Sequence, residues 1–228
     1  MIIDLQTSKT LGSIGALLLF ISIFTFVIPI PYIFTIIFIV GTALTLVSLY
    51  GLSGYYNEST IFKKTSIGIA AGIIGIALAA IIAYTLILPN IIDMMQQIYP
   101  SWDGNINTLP GIAADPNMSI DTSQIIESAT AMLTNTLIML AVLCIFTIIA
   151  TYFIRQSLKQ LSEKSNIGLF GAAGTVMFIG GFLTLLIIGY FLIWIATLLL
   201  AIAFIQLKHQ QPTTNTYTTD QPPTPTTT

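Results

Sequence analysis

Ionisable side chains are scarce in this chain of 228 residues. Charged residues make up 7% of it and apolar residues 55%, whereas an ordinary soluble domain contains about 25% charged residues. The only cysteine is Cys144, so the chain can form no intrachain disulfide and no cysteine-based metal site. The only histidine is His209. This composition excludes a typical soluble domain and indicates a membrane protein.

One long segment without charge sets the architecture. No Asp, Glu, Lys, Arg or His occurs from Ser165 to Leu207. As a single helix this segment would be about 64 Å long, which is roughly twice the ~30 Å hydrocarbon thickness of a bilayer. It therefore predicts two crossings of the membrane.

The same reasoning along the chain predicts an all-α polytopic membrane protein, a six-helix transmembrane bundle. The expected passes are at about 11–28, 32–52, 67–88, 129–152, 169–187 and 189–207. These passes form one membrane domain, residues 1–208.

Two segments are predicted to lie outside the membrane. Residues 89–124 are polar, contain several Asp, Pro and Gly residues and lack basic residues, which favours an irregular outer loop. Residues 209–228 consist mainly of Thr, Pro and Gln and cannot bury enough apolar surface to offset the entropy of ordering. We therefore expect a disordered Thr/Pro-rich C-terminal tail.

The basic residues predict the orientation. With six passes, all seven of them fall on one side of the membrane: Lys9, Lys63, Lys64, Arg155, Lys159, Lys164 and Lys208. Cytoplasmic loops carry the excess of Lys and Arg. We therefore expect a multi-pass protein of the cell membrane with both termini in the cytoplasm.

Small residues at helical spacing are candidates for helix packing. They are Gly68, Gly72 and Gly75 in the third pass and Gly171 and Gly174 in the fifth. Such rows allow helix backbones to approach closely in lipid. They could form a dimer interface, but packing within the monomer is the interpretation we favour. Gly12-x-x-Gly15 and Gly171-x-x-Gly174 open two hairpins of the same orientation, a weak sign of internal duplication.

Several stretches resemble a family of small prokaryotic membrane proteins catalogued as domain of unknown function 996. They are Lys9-Thr10-Leu11-Gly12 with Ile14-Gly15, Tyr55-Tyr56-Asn57 with Ile61-Phe62-Lys63, Leu158-Lys159-x-Leu161-Ser162-Glu163-Lys164-Ser165 leading into Leu169-Phe170-Gly171, and the run from Ile187 to Ala196. The resemblance spans roughly residues 9–208 and rests on the order of these stretches. It implies a bacterial or archaeal origin, and the family brings no known activity, ligand or catalytic residue.

The sequence gives no indication of catalysis. Ionisable residues at bilayer depth mark proton relays and ion sites because burying one costs about 2.5–3.5 kcal/mol on insertion scales. None of the six predicted passes has such a residue near its middle. Phosphate-binding glycine loops and metal-ligand spacings are also lacking. We therefore expect no enzyme, no catalytic or cofactor-binding residues, no metal site and no cofactor.

A few mildly polar positions remain. On the fourth pass Thr130, Cys144, Thr147 and Thr151 fall within an arc of about 100°. They could line a path for water or a small neutral solute, although hydroxyls that bond within their own helix are the interpretation we favour. Asn117 begins a glycosylation sequon in the predicted outer loop.

Two functions from different classes remain open. In the first, the protein is a structural or accessory membrane protein of unknown biochemical role that assembles with itself or with another membrane complex. In the second, it is a small uncoupled channel or carrier for water or a small neutral solute. The lack of charge within the membrane favours the first. The expected partners are the lipid bilayer and a homo-oligomer or larger membrane complex, and not nucleic acid.

Overall fold

The structure of the protein is a computed structural model that describes residues 4–22, 31–99, 102–105, 108, 122–186 and 188–208. All regular structure within these residues is helical, which confirms the predicted all-α class. The helices are α1 (Leu5–Ser22), α2 (Pro31–Tyr55), α3 (Ser59–Ile82), α4 (Leu88–Ile98), α5 (Thr122–Ser165), α6 (Gly168–Phe182) and α7 (Ile188–Ile205). A π-helical turn, Ala83–Ile87, joins α3 to α4, and a 3-10 turn, Leu183–Leu186, follows α6.

Five helical segments are long and apolar enough to cross a membrane. They are Thr35–Tyr55, Ser59–Ile98, Ile126–Ser165, Gly168–Leu186 and Ile188–Ile205. α1 is not among them: its first turns are polar, and residues 23–30, which follow it in the predicted first pass, lie outside the described residues. The prediction of a membrane protein with several transmembrane helices is therefore confirmed.

The observed helices correspond to the six predicted passes in order, but their ends differ. α1 begins at Leu5 rather than near residue 11, because both Leu5 and Ser8 are buried against other helices. α5 runs without a break from Thr122 to Ser165. The predicted tail, residues 209–228, lies outside the described residues, as do residues 29–30 between the first two predicted passes.

The predicted loop at 89–124 is helical in its first part, where we expected irregular structure. Helix α4 contains Pro89 in its first turn and continues to Ile98. Proline lacks an N–H group and its ring collides with the carbonyl four residues earlier. The π-helical turn widens the backbone just before Pro89, and the Asn90 side chain donates to the Leu86 carbonyl at 2.7 Å. The chain thus passes the proline without ending the helix.

The six longer helices form a ring. Each packs mainly against two neighbours, in the order α1, α2, α3, α5, α6, α7 and back to α1. The most extensive contacts join α1 to α2, α3 to α5 and α6 to α7, so the ring consists of three helical hairpins. We call the end of the ring with the α2–α3 and α5–α6 turns the connector end, and the opposite end the far end.

The helices before the two connector turns carry the same sequence pattern. It occurs as Ser48-Leu49-x-x-Leu52-Ser53-x-x-x-Asn57 and as Ser157-Leu158-x-x-Leu161-Ser162-x-x-x-Asn166. Both asparagines have a positive φ, 52° at Asn57 and 56° at Asn166, a conformation that asparagine tolerates better than most residues. Ser53 and Ser162 each donate, at 2.9 Å, to the carbonyl of the residue after the asparagine. The two connectors are therefore structural equivalents.

Helix α7 carries a third, degenerate copy of the pattern. Its Ala203, Phe204 and Leu207 have the spacing of Ser48, Leu49 and Leu52, and all six residues are at most 2% exposed. Each of the three hairpins therefore contributes three buried residues with the same spacing to the connector end. The sequence analysis aligned Gly12-x-x-Gly15 with Gly171-x-x-Gly174 instead. In the structure these two pairs make different contacts: Gly12 and Gly15 meet α2 and α7, whereas Gly171 and Gly174 meet α5.

The middle hairpin is longer than the other two. The segments Ser59–Ile98 and Ile126–Ser165 have 40 residues each, about 60 Å at 1.5 Å per residue. A bilayer core of ~30 Å covers only half of that length. At the far end Gln97 of α4 and Ser128 of α5 share a hydrogen bond of 3.1 Å, so the two helices remain paired there.

Candidate functional site

The best-packed region of the molecule is the core at its connector end. Five large side chains there have no exposed surface, and they come from five different helices: Leu52, Ile61, Leu161, Phe170 and Phe204. The rings of Phe170 and Phe204 meet edge to face with centroids 5.2 Å apart. The core fills the axis of the ring at this end with apolar side chains.

Buried serine hydroxyls join the two helices within each of the first two hairpins. Ser48 of α2 donates to the Ser8 carbonyl of α1 at 2.6 Å. Ser157 of α5, the equivalent residue, donates to the Ile61 carbonyl of α3 at 2.6 Å and accepts from Thr65 at 2.7 Å. Hydrogen bonds of this kind between helices in membranes contribute about 1 kcal/mol each. The first two hairpins are therefore held by matched bonds.

The two connectors are also linked by charge. Lys164 Nζ lies 3.8 Å from Glu58 Oε2, and the Thr60 hydroxyl donates to Glu58 Oε1 at 2.7 Å. The Thr60 hydrogen bond, followed by the charges of Lys164 and Lys64, holds the pKa of the Glu58 carboxyl below its ordinary value. The carboxylate is thus stabilised in its ionised form next to both connectors.

The ring closes between the first and last helices. Lys9 Nζ of α1 donates to the Leu207 carbonyl at 2.8 Å, just after the end of α7. Nearer the far end, Trp194 of α7 stacks on Phe20 of α1 with centroids 4.8 Å apart, and its indole N–H donates to the Phe20 carbonyl. The first and third hairpins are therefore joined along most of their length.

An open depression of about 830 Å³ lies on the connector end, between the α5–α6 turn and the end of α7. Its lining includes Asn166, Gly168 and Lys208. Its polar groups face solvent, so it is a surface feature and not an enclosed cavity.

Two of the predicted packing glycines of α3 meet α5. A Cβ atom added to Gly68 would lie 2.7 Å from the Ala150 carbonyl oxygen. One added to Gly75 would collide with Phe146, whereas one added to Gly72 would meet only Ala150 Cβ, at 3.9 Å. The structure thus places Gly68 and Gly75 in a close contact within the monomer, and Gly72 beside it.

The predicted packing glycines of α6 also face α5. A Cβ on Gly171 would lie 3.3 Å from Ser162 Oγ, and one on Gly174 would lie 3.1 Å from Arg155 Cα. Gly181, which the sequence analysis did not single out, is in the same row and would collide with Thr151. This row of glycines allows α6 to lie directly on α5.

The four residues of the suggested polar path do not meet on one accessible surface. Thr130 is exposed and donates to the Ile126 carbonyl of its own helix at 2.7 Å. Cys144 and Thr151 are each 5% exposed, and Thr151 donates to the Thr147 carbonyl at 2.7 Å. These hydroxyls are therefore used within α5.

Other predicted features are at the far end or outside the described residues. Asn117, the suggested glycosylation site, lies outside them. Within the described part of the chain, no three His, Cys, Asp or Glu residues are grouped as metal ligands would be. Trp102 is 4% exposed and its indole donates to the Asn105 carbonyl at 2.8 Å, which folds the chain beyond α4 into a compact turn.

The repeated connectors are the main feature that sequence reasoning missed. The signal was present, because the Ser-Leu-x-x-Leu-Ser-x-x-x-Asn pattern is identical in both copies. It was hidden because the copies belong to different hairpins of unequal length, and the third copy keeps only its apolar positions.

The comparisons with known proteins identify the family. The profile of the family described as "Protein of unknown function (DUF996)" matches residues 37–198. This match covers most of the chain, from α2 into α7, and confirms the resemblance inferred from the sequence. The chain belongs to the DUF996 family. No curated protein and no solved structure matches it.

Proposed function

We propose that this member of the DUF996 family is a non-enzymatic structural or accessory membrane protein that assembles with itself or with another membrane complex. The proposal rests on the packed core at the connector end. Side chains from all six ring helices meet there, and the largest of them are fully buried. A molecule organised in this way is suited to holding helices in fixed positions.

The same core weighs against the alternative function, an uncoupled channel or carrier for water or a small neutral solute. Such a path would have to cross the layer that contains Leu52, Leu161 and Phe204. Opening it would separate apolar side chains that are in contact, at a cost of about 25 cal/mol for each Å² of apolar surface exposed to water. The Thr130 and Thr151 hydroxyls, which belong to the suggested path, bond to carbonyls of their own helix and are therefore less available to hydrate a solute.

We also propose that the connector end faces the cytoplasm of a prokaryotic cell and that the protein lies in the cell membrane. The described basic residues support this orientation, because all seven lie on helices or turns at the connector end: Lys9, Lys63, Lys64, Arg155, Lys159, Lys164 and Lys208. The described far-end segments, 88–99 and 102–105, contain Asp93 and Asp103 and no basic residue. This distribution follows the positive-inside rule.

The assembly proposal is tested by chemical crosslinking in the native membrane, followed by mild solubilisation and mass spectrometry of the tagged protein. A stoichiometric partner or a defined homo-oligomer is the expected result. A monomer that crosslinks to nothing but catalyses solute flux in liposomes would contradict the proposal and support the channel.

The orientation is tested with an impermeant thiol reagent on intact cells, in a Cys144→Ala background. Gln96→Cys, exposed on α4, should react, and Lys63→Cys, exposed on α3, should react only after the cells are opened. The reverse pattern would overturn the orientation.

A further inference from the structure

The contact between α2 and α3 differs from its structural equivalent, the contact between α5 and α6. The two pairs have the same connector, so the positions of one can be aligned with those of the other by counting from Asn57 and Asn166. In this alignment Phe62, Thr65 and Gly72 of α3 correspond to the three glycines of α6, which are Gly171, Gly174 and Gly181. Two of the three residues that allow close approach are thus replaced by larger ones.

Phe62, the larger of the two replacements, lies between α2 and α3. Phe62 meets Tyr50 of α2 edge to face with centroids 5.1 Å apart, whereas the equivalent Gly171 has no side chain. At Gly72 an added Cβ would find no atom of the described α2 within 4 Å. The equivalent Gly181 is in direct contact with Thr151. The pair α2–α3 is therefore separated where the pair α5–α6 is closed.

The space between α2 and α3 also lacks the side chains that fill its equivalent. Between α5 and α6, Phe178 lies 6.0 Å from the Tyr152 ring, centroid to centroid, and 5.0 Å below the Arg155 guanidinium carbon. The equivalents of Phe178 and Tyr152 are Ile69 and the exposed Ala43. Smaller side chains at these two positions leave room for an apolar groove between the helices, and Ile73, one turn after Ile69 on α3, is 62% exposed.

The Lys63 ammonium group and the Tyr50 phenol lie at the connector end of this groove. Lys63 follows Phe62 and lies about 100° further round α3, on the side away from α5. Lys63 is exposed, and the only ion pair among the described residues is that of Lys164 with Glu58. Tyr50 is 53% exposed and carries a hydroxyl that can donate a hydrogen bond. These groups complement a phosphate, and the apolar groove below them complements a hydrocarbon chain.

We propose that the α2–α3 groove is a binding site for an anionic phospholipid. An acyl chain occupies the groove between Ala43 and Ile69, and the headgroup phosphate is bound by Lys63 and Tyr50. Juxtamembrane lysines attract anionic lipids by this mechanism, and the lysine stem can lie along the apolar surface while its charge stays at the headgroup.

The test is native mass spectrometry of the purified protein titrated with dioleoylphosphatidylglycerol or with dioleoylphosphatidylcholine, which has the same chains. The protein should retain the anionic phosphatidylglycerol in preference to the phosphatidylcholine. Lys63→Gln should weaken its binding about fivefold, the effect of one lysine at an anionic surface. Lys159→Gln, which removes an exposed lysine of α5 at the same end, should leave binding unchanged.

A second variant tests the groove independently of charge. Ala43→Tyr combined with Ile69→Phe copies the side chains that fill the α5–α6 contact, and it should abolish retention of the anionic lipid without lowering the melting temperature. If this pair of substitutions prevents folding, Ala43→Leu provides a smaller obstruction with the same expected direction.

Two results would overturn the proposal. One is equal retention of both lipids, with Lys63→Gln indistinguishable from Lys159→Gln. The other is a crosslinked dimer of Gly72→Cys, in a Cys144→Ala background, which would show that a helix from a second copy occupies the groove.

Discussion

Helix α3 has two faces that pack in opposite ways. Toward α5 its backbone is in close contact, with Gly68 against the Ala150 carbonyl and the Thr65 hydroxyl bonded to Ser157. Toward α2 the contact is less extensive: Phe62 meets Tyr50 near the connector end, and Ile73, further along α3, is exposed. One face joins the two halves of a hairpin, and the other borders a groove.

The comparison shows that a row of small residues does not by itself identify the helix it will pack against. Gly68 and Gly72 are one turn apart and look alike in the sequence, yet only Gly68 opposes a backbone atom at close range. In lipid, close approach is favoured by van der Waals contact and interhelical hydrogen bonds rather than by the hydrophobic effect. The face with both kinds of contact is therefore the closed one.

The largest expected effect is at Gly68. Gly68→Ala should lower the free energy of unfolding by about 2 kcal/mol, because the new Cβ would lie 2.7 Å from the Ala150 oxygen and the two helices must move apart. The measurement is equilibrium unfolding in mixed detergent and sodium dodecyl sulfate micelles.

The matched control is Gly72→Ala, whose new Cβ would meet only Ala150 Cβ at 3.9 Å. It should leave stability unchanged or raise it by up to about 1 kcal/mol, because alanine is the better helix former. Equal destabilisation by both substitutions would mean that the close backbone contact at Gly68 does not determine the cost.

A smaller effect is expected where a hydroxyl joins α3 to α5. Ser157→Ala removes the bonds to the Ile61 carbonyl and to Thr65 and should cost about 1 kcal/mol in the same unfolding assay. Ser8→Ala removes a hydroxyl that is equally buried but has no hydrogen-bond partner within the described structure, so it should cost nothing. A cost at Ser8 that matches the cost at Ser157 would contradict the role given to the bonds.

The sequence was sufficient to predict the all-α class, a membrane protein with several transmembrane helices, and the family. Long stretches without charge are stable in a membrane, and their lengths are those of membrane-spanning helices. The profile match from residue 37 to 198 confirms the family. These features depend on composition and local order, which a sequence displays directly.

The missed features depend on contacts between distant residues. Pro89 indicated the end of a helix, but the π-helical turn before it lets the helix continue to Ile98. Gly72 and Gly75 were both candidates for close packing, and only the position of Phe146 on α5 distinguishes them. The groove toward α2 could be recognised only once the two connectors had been aligned.

The smallest expected effect is at the start of α3, where Glu58 is bound by Thr60 and Lys164. Because folding lowers the pKa of this carboxyl, its contribution to stability is complete above the unfolded-state pKa of about 4.3 and is lost as the pH falls through the lower folded-state value. The melting temperature of the Glu58→Gln variant should therefore lie slightly below that of the wild type at pH 7, and this difference should shrink as the pH falls below the unfolded-state pKa. The difference in melting temperature should be small because solvent screens an exposed ion pair. A difference in melting temperature between Glu58→Gln and the wild type that does not change with pH would mean that the Glu58 charge does not link the two connectors.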